Sequence, residues 1–308
     1  MPGSRRFKQV DVFTSVPFKG NPLAVVLNAD GLTDAQMHAV ARWTNLSETT
    51  FALAPIAPEA DYRVRIFSPG VEFPFAGHPT LGTAHALLEA GLQPKTPGRL
   101  VQECGVGLVQ ISVSPNGALA FEAPAAELAM LHPGLFPTLR AALQSDAFSV
   151  APAPLIATMG LSWLVVRMDS AAACLAVQPD GAALREFTRM GITGIAMFGA
   201  HGPAGPADYE VRAIFTKLDV LAEDPVTGSA NACIARVLEA QGFPDGERTR
   251  RGYTARQGTL LQCDGHIEIV YQDGTPWVGG HSVTVIDGTI KMELLSMSVE
   301  TRFSVEAG

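Results

Sequence analysis

The chain has 308 residues, 47% hydrophobic and 17% charged, with 30 acidic against 22 basic side chains and a formal net charge of −8. That length fits two domains of about 150 residues better than one core, and the apolar fraction excludes a disordered chain. The negative balance argues against nucleic acid or an anionic membrane as partner, because phosphates are neutralised by clustered Lys and Arg, and the short run Arg248, Arg250 and Arg251 reads as a solvated turn.

In chain order, "FKQVDVF" and "PLAVVL" read as strands joined by "TSVPFKGNP", a turn forced by Pro17, Gly20, Asn21 and Pro22. Thr33-Asp34-Ala35-Gln36 is a capping-box pattern, and Met37, Val40 and Ala41 follow at helical spacing. The helix runs to about Trp43, and "NLSE" leads into the β-prone "TTFAL", which puts Glu48 at a helix-to-strand junction. "YRVRIF" alternates as a strand does. A second helix starts at Thr80 and closes at Gly91. "VGLVQISV" and "ALAFEA" form a hairpin around Asn116-Gly117. The segment 124–155 reads as the connection between halves. Beyond it "SWLVVRM", "GIAMF", "YEVRAIF", "GTLLQ" and "HIEIVY" read as strands, with helices over "AALREFTRM" and "ANACIARVLEAQG".

Cys104, Cys174, Cys233 and Cys263 have no C-x-x-C spacing and are too sparse for a disulfide scaffold, which fits a reducing compartment. No apolar run follows the basic residues near Met1, and no stretch of 18 apolar residues is present, so a cytoplasmic protein without a membrane span is expected.

Two phrases echo each other: "GHPTLGTAHALL" and "EDPVTGSANACIARVL". His78 precedes Gly82 by four residues and Asp224 precedes Gly228 by four, an offset of 224 − 78 = 146 positions. In each, a strand ends, a loop turns and a helix begins with small residues that leave backbone N–H groups uncrowded, a place that attracts an anion. Singly, His78 and Asp224 read as helix caps; as a matched pair they read as groups converging on one cleft. Glu48 alone reads as a surface acid, but its flanks Leu46 and Phe51 allow a partly buried position with a raised pKa, which suits a general acid/base. The second half has no acid at the matching place, "MGITG". The histidines lack metal-ligand spacing, and neither a Walker nor a dinucleotide fingerprint occurs, so neither metal nor cofactor is called for.

Taken together, "DVFTSVPFKGNPLAVV", "NLSETTF", "IFSPGVEFPFAGHPTLGTAHAL", "EDPVTGSANA" and "GGHSVTVIDGTI" resemble the phenazine-biosynthesis PhzF-like isomerases, within the diaminopimelate-epimerase-like fold. The resemblance implies an α+β fold of two pseudo-symmetric domains, each a β-barrel-like sheet wrapped around a central helix, with the active site in the cleft between them. Domains are then expected at 1–125 and 126–287, with the C-terminal segment from about 288 to 308 returning to the first. It also implies a cofactor-independent isomerase acting on a small carboxylate, of the dihydro-hydroxyanthranilate type, and a homodimer. Glu48, His78 and Asp224 take the catalytic positions, and Gly77, Gly228 and Ser229 those that hold the substrate. Related epimerases use two thiols, whose places here are occupied by Ala76 and Pro225. The alternatives are an epimerase or racemase working through Glu48, His78 and Asp224, and a binding protein that kept the cleft without catalysis.

Overall fold

The computed structural model describes residues 3–217 and 220–292. The first half runs β1 (Ser4–Val12), β2 (Asn21–Val26), α1 (Asp34–Thr44), β3 (Thr49–Leu53), β4 (Tyr62–Phe67), β5 (Glu72–Phe73), α2 (Gly77–Glu89), β6 (Arg99–Cys104), β7 (Gly107–Val113) and β8 (Leu119–Glu122). A connection follows, carrying β9 (Glu127–Met130) and α3 (Phe136–Leu143). The second half runs β10 (Leu155–Met159), β11 (Leu161–Arg167), α4 (Ala171–Ala176), α5 (Gly181–Arg189), β12 (Gly194–Ala200), β13 (Tyr209–Lys217), β14 (Val220–Asp224), α6 (Gly228–Ala240), α7 (Glu247–Arg251), β15 (Gly252–Gln257), β16 (Gly265–Gln272), β17 (Thr275–Gly280) and β18 (Ser282–Lys291).

The halves repeat each other in pairing as well as order. β2 and β3 are parallel, as are β11 and β12. The second strand before each central helix pairs in parallel with the first strand after it, β4 with β6 and β13 with β15. Antiparallel hairpins complete each set, and β8 joins β17 edge to edge. The last strand of each half crosses over: β9 pairs with β10, and β18 pairs with β1 from Ser282↔Val12 to Lys291↔Ser4. A crossed strand cannot leave without opening the other half, so the exchange ties the halves together. Pairing at the C-terminal end thus starts six residues before 288, and residues 293–308 of the expected return lie outside the described residues.

The described strands form one continuous sheet, against which α2 packs on β1, β2 and β8 and α6 on β10, β11 and β17. Leu81, Ala84 and Ala86 of α2 and Ile234, Ala235 and Leu238 of α6 are buried in one continuous core. Each such leucine contributes roughly 1.5–3 kcal/mol by burial. Helix α1 covers the outside of the first half with Met37, Val40 and Ala41 on Phe51 and Phe67, while α3, α4 and α5 cover the second with Leu139, Cys174, Leu184 and Phe187. The Thr33–Gln36 capping box is formed in both directions.

The structure differs from the sequence reading in several places. Helix α2 begins at Gly77, not Thr80, because Pro79 falls in the first turn, where a missing N–H costs nothing. "GTLLQ" is a 3-10 turn rather than a strand, since Gly258 (φ 95°) and Gln262 (φ 60°) stand in the left-handed region on either side of it. The strand's place is taken by β15. The basic run after Glu247 is a short helix, and the connection carries β9 and α3 rather than bare loop.

Candidate active site

Helices α2 and α6 start against each other. A Cβ placed on Gly228 would lie 3.1 Å from Gly77 Cα and 3.1 Å from His78 N, so the two backbones approach as only glycine permits. The structural register is therefore 228 − 77 = 151, and Thr80 and Asn231, the first residues whose amides reach a carbonyl four back, differ by the same 231 − 80 = 151. The sequence echo, offset by 146, is out of step with this by five residues. His78 corresponds to Ser229, inside the first turn, whereas Asp224 lies ahead of its helix and corresponds to Phe73 at the end of β5. The cause is local: Pro79 sits within its helix and Pro225 in the turn before the other. The same register sets Ala76 opposite Thr227 rather than Pro225, and neither carries a thiol.

Both starts are propped in the same way by a glutamine from the following strand. Gln102 Nε2 donates to Thr80 Oγ1 at 3.0 Å and its Oε1 accepts from Tyr62 Oη. Gln257 Oε1 accepts from Thr227 N and Asn231 Nδ2, each at 3.0 Å, and its Nε2 donates to Asp224 O and Thr227 Oγ1. Gln102 and Gln257 are fully buried. Neither helix has a side-chain cap, so the amides of Gly77 and His78 on one side and Gly228, Ser229 and Ala230 on the other precede the first intrahelical bonds.

Glu48 follows the αL C-cap Asn45 of α1 and precedes β3. Thr44 Oγ1 and Thr49 Oγ1, 2.8 Å apart, clasp the turn, and Thr83 Oγ1 donates to Thr50 Oγ1 to fasten β3 to α2. Glu48 Oε2 thereby comes 3.4 Å from His78 Nε2. The Glu48 side chain is 17% exposed, yet Oε2 itself is shut off from solvent and has no hydrogen-bond donor. Burial, reinforced by the Asp224 charge and opposed by Lys217, pushes the Glu48 pKa up to about 8. Burial alone takes His78 down to about 3, so its ring is neutral.

Asp224 keeps the opposite state. Burial raises it to about 6, against hydrogen bonds from Thr227 Oγ1 at 2.6 Å and Asn21 Nδ2 at 3.1 Å. At neutral pH the cleft thus holds one protonated carboxyl, one carboxylate and one neutral imidazole, the separation of roles that acid–base chemistry uses. The structure brings Glu48, His78, Gly77, Gly228 and Asp224 together. Because Gly77 touches Gly228, no room is left between the two backbones at that point. Ser229 belongs to the same turn, but its Oγ already accepts from Trp163 Nε1 at 3.1 Å, which leaves its O–H and one lone pair. Asn21, Gln257 and Thr227 are the members that sequence reasoning missed; Asn21 was visible only as a turn former.

Among the described residues no three His, Cys, Asp or Glu side chains gather as a metal-binding set, and no helix is long and apolar enough to cross a membrane. Cavities of about 480 Å³, lined by His201, Asp208 and Thr254, and about 490 Å³, lined by Arg63, Glu103 and Cys104, lie apart from these residues. Cys233 is fully buried in α6, with Sγ 3.5 Å from Ala157 O and its pKa pushed by burial to about 12. Cys233→Ser is expected to leave turnover within about threefold of wild type, since a thiol so placed is not a nucleophile or proton carrier; a loss of about 10² or more in a folded variant would show that the thiol takes part.

Comparison with known proteins gives the family and the fold. The family model described as "Phenazine biosynthesis-like protein", PhzC-PhzF, matches residues 10–288. The chain is 33% identical over 296 residues to "Antisense-enhancing sequence 1" of Schizosaccharomyces pombe, across 92% of this chain and 97% of that one. It is 34% identical over 244 residues to a trans-2,3-dihydro-3-hydroxyanthranilate isomerase of Pseudomonas aeruginosa, across 75% and 78%. In structure it resembles a phenazine biosynthesis protein of the PhzF family from Bacillus anthracis, with a TM-score of 0.79, 23% identity and coverage of 93% and 99%. The family match takes in both helix starts and every residue of the cleft, and on that ground the chain belongs to the PhzC-PhzF family of phenazine biosynthesis-like proteins, whose curated members include named isomerases.

Proposed function

We propose that the protein is a cofactor-independent isomerase that moves a proton within a small carboxylate, of the dihydro-hydroxyanthranilate type, with Glu48 as the proton carrier. The observation that carries this reading is the arrangement of the two carboxyls: Glu48 Oε2 is buried without a donor 3.4 Å from His78 Nε2, while both oxygens of Asp224 accept hydrogen bonds, so that burial pushes Glu48 up further than Asp224. The name of the Pseudomonas aeruginosa relative supports the substrate class.

In this reading the Glu48 acid delivers its proton to an electron-rich carbon of the substrate. The carboxylate left behind removes a proton from a nearby carbon, so one proton enters, one leaves and Glu48 ends as it began. Asp224 accepts a hydrogen bond from an amino or hydroxyl group of the substrate, and His78 holds the acid in line as a neutral partner. The substrate's carboxylate lies beside the unpaired amides of α2 and α6, where the helix dipoles offset the negative charge of the chain, each contributing about 0.3–1 kcal/mol.

The expected pH dependence follows from the states of the two carboxyls. Asp224 must be ionised, so kcat/KM falls below about pH 6, and Glu48 must be protonated, so it falls above about pH 8. The two limbs belong to the coupled pair. The test is to incubate the protein with trans-2,3-dihydro-3-hydroxyanthranilate in deuterium oxide and follow the ring carbons by NMR. Deuterium entering one carbon as a proton leaves another supports the isomerase; tight binding with no exchange and no product makes the protein a binding module and ends the proposal.

A further inference from the structure

The two carboxyls of the cleft differ in what surrounds them. Asp224 Oδ1 accepts from Asn21 Nδ2 and Oδ2 accepts from Thr227 Oγ1, whereas Glu48 Oε2 accepts from nothing. Asn21 opens β2 in the other half of the molecule, 203 positions away from Asp224, and is fully buried. Its Nδ2 also donates to Val226 O at 2.8 Å. Two acceptors on one side fix the amide's orientation, since a flipped Asn21 would set its oxygen against two others. Its own Oδ1 is then left buried without a partner. An amide placed for packing alone would not keep an orphaned acceptor in the core, because that atom loses water and gains nothing.

Donors favour the charged form of the carboxyl they reach, and a neighbouring carboxyl without donors in the same desolvated space takes the proton. We infer that Asn21 is a positioning residue that, with Thr227, holds Asp224 as an acceptor-only carboxylate across the cleft and so assigns the shared proton to Glu48. The inference rests on the reading of Glu48 as proton carrier and names what prepares it. The other ionisable groups around the pair do not supply this bias. Glu223, on Asp224's own strand, is paired with Arg212 at 2.9 Å; Cys263, in the loop before β16, is felt as a thiol; Lys217 at the end of β13 acts on Glu48.

The experiment is a titration of the ligand-free protein by NMR with labelled Asp and Glu carboxyls and labelled Asn side-chain amides. In wild type the Asn21 amide should shift with a midpoint near pH 6, in step with Asp224. In Asn21→Leu the Asp224 midpoint should rise by about one pH unit or more, and that of Glu48 should fall, because a neutral Asp224 no longer raises it. Thr227→Val should act in the same direction and Thr227→Ser should restore the wild-type values. An Asn21 amide that does not respond to pH, or an Asp224 midpoint unmoved in folded Asn21→Leu, overturns the inference. The wild-type amide decides the matter even if the leucine variant does not fold. Since the readout is titration and not turnover, a protein that converts no tested acid but titrates as described contradicts the proposed function alone.

Discussion

Glu48→Gln is expected to lower turnover by about 10²-fold or more while making the protein more stable. The amide keeps the shape of the acid and removes the proton that the reaction moves, and acid–base help of this kind is typically worth about 10² to 10⁴. The gain in stability comes from the raised pKa. An acid whose folded-state value stands near 8 instead of 4.5 binds its proton more tightly when folded, so its contribution is fully present below about pH 4.5 and is lost as pH rises through about 8. At 1.36 kcal/mol per pKa unit the wild type gives up on the order of a few kcal/mol across that window. Glutamine has no charge to bury, so the difference in Tm between variant and wild type should widen from pH 5 to pH 8. Calorimetry over that range checks it. A variant with near-wild-type turnover, or a Tm difference that ignores pH, contradicts the assignment.

The second large effect is expected at Gly228. The residue is in helical conformation, so substitution carries no penalty of left-handed backbone, and the whole effect comes from contact. A Cβ there meets Gly77 Cα and His78 N at 3.1 Å, both backbone atoms of the opposite helix, which cannot swing aside as a side chain could. Gly228→Ala must push the helix starts apart by a few tenths of an ångström, and Gly228→Val by more. Overpacking of this kind costs about 1–3 kcal/mol of stability. Because His78 sits in one of those starts and Asp224 is bonded to Thr227 at the head of the other, while Glu48 stays fixed in its own turn before β3, turnover of the valine variant should fall by about 10²-fold or more, the penalty of displacing reacting groups by about 1 Å. Ser229→Ala removes one hydroxyl and should cost only about 0.5–1.5 kcal/mol in binding. Equal effects at the two positions would show that the backbone contact is not what organises the cleft.

Much of this arrangement was legible in the residues. Alternation in "YRVRIF" and the Thr33–Gln36 box marked their elements because each is settled by neighbours in sequence. The echo marked both central helices, and Glu48 stood out by its place between α1 and β3. The echo's register misled, since the pattern Pro-x-x-Gly is the same whether the proline lies inside a first turn, as Pro79 does, or in the turn ahead, as Pro225 does. The return of the C-terminal segment was expected from about 288, but its start at Ser282 was not legible, because the partner strand β1 lies over 250 residues away and leaves no local pattern; nor was β9, whose four residues are all exposed, so that even alternation is absent. Gln102, Gln257 and Asn21 were missed for a related reason. A buried amide on a strand looks like any polar residue until its partners on other strands and helices are known.

The central claim is that Glu48 holds a proton at neutral pH in a cleft where Asp224 does not. Infrared difference spectra between wild type and Glu48→Gln, taken from pH 5 to pH 10 on the protein without substrate, test it directly. The predicted result is a protonated-carboxyl band present at pH 7, absent from the variant and lost with a midpoint near pH 8. A Glu48 already ionised at pH 6 would contradict the account.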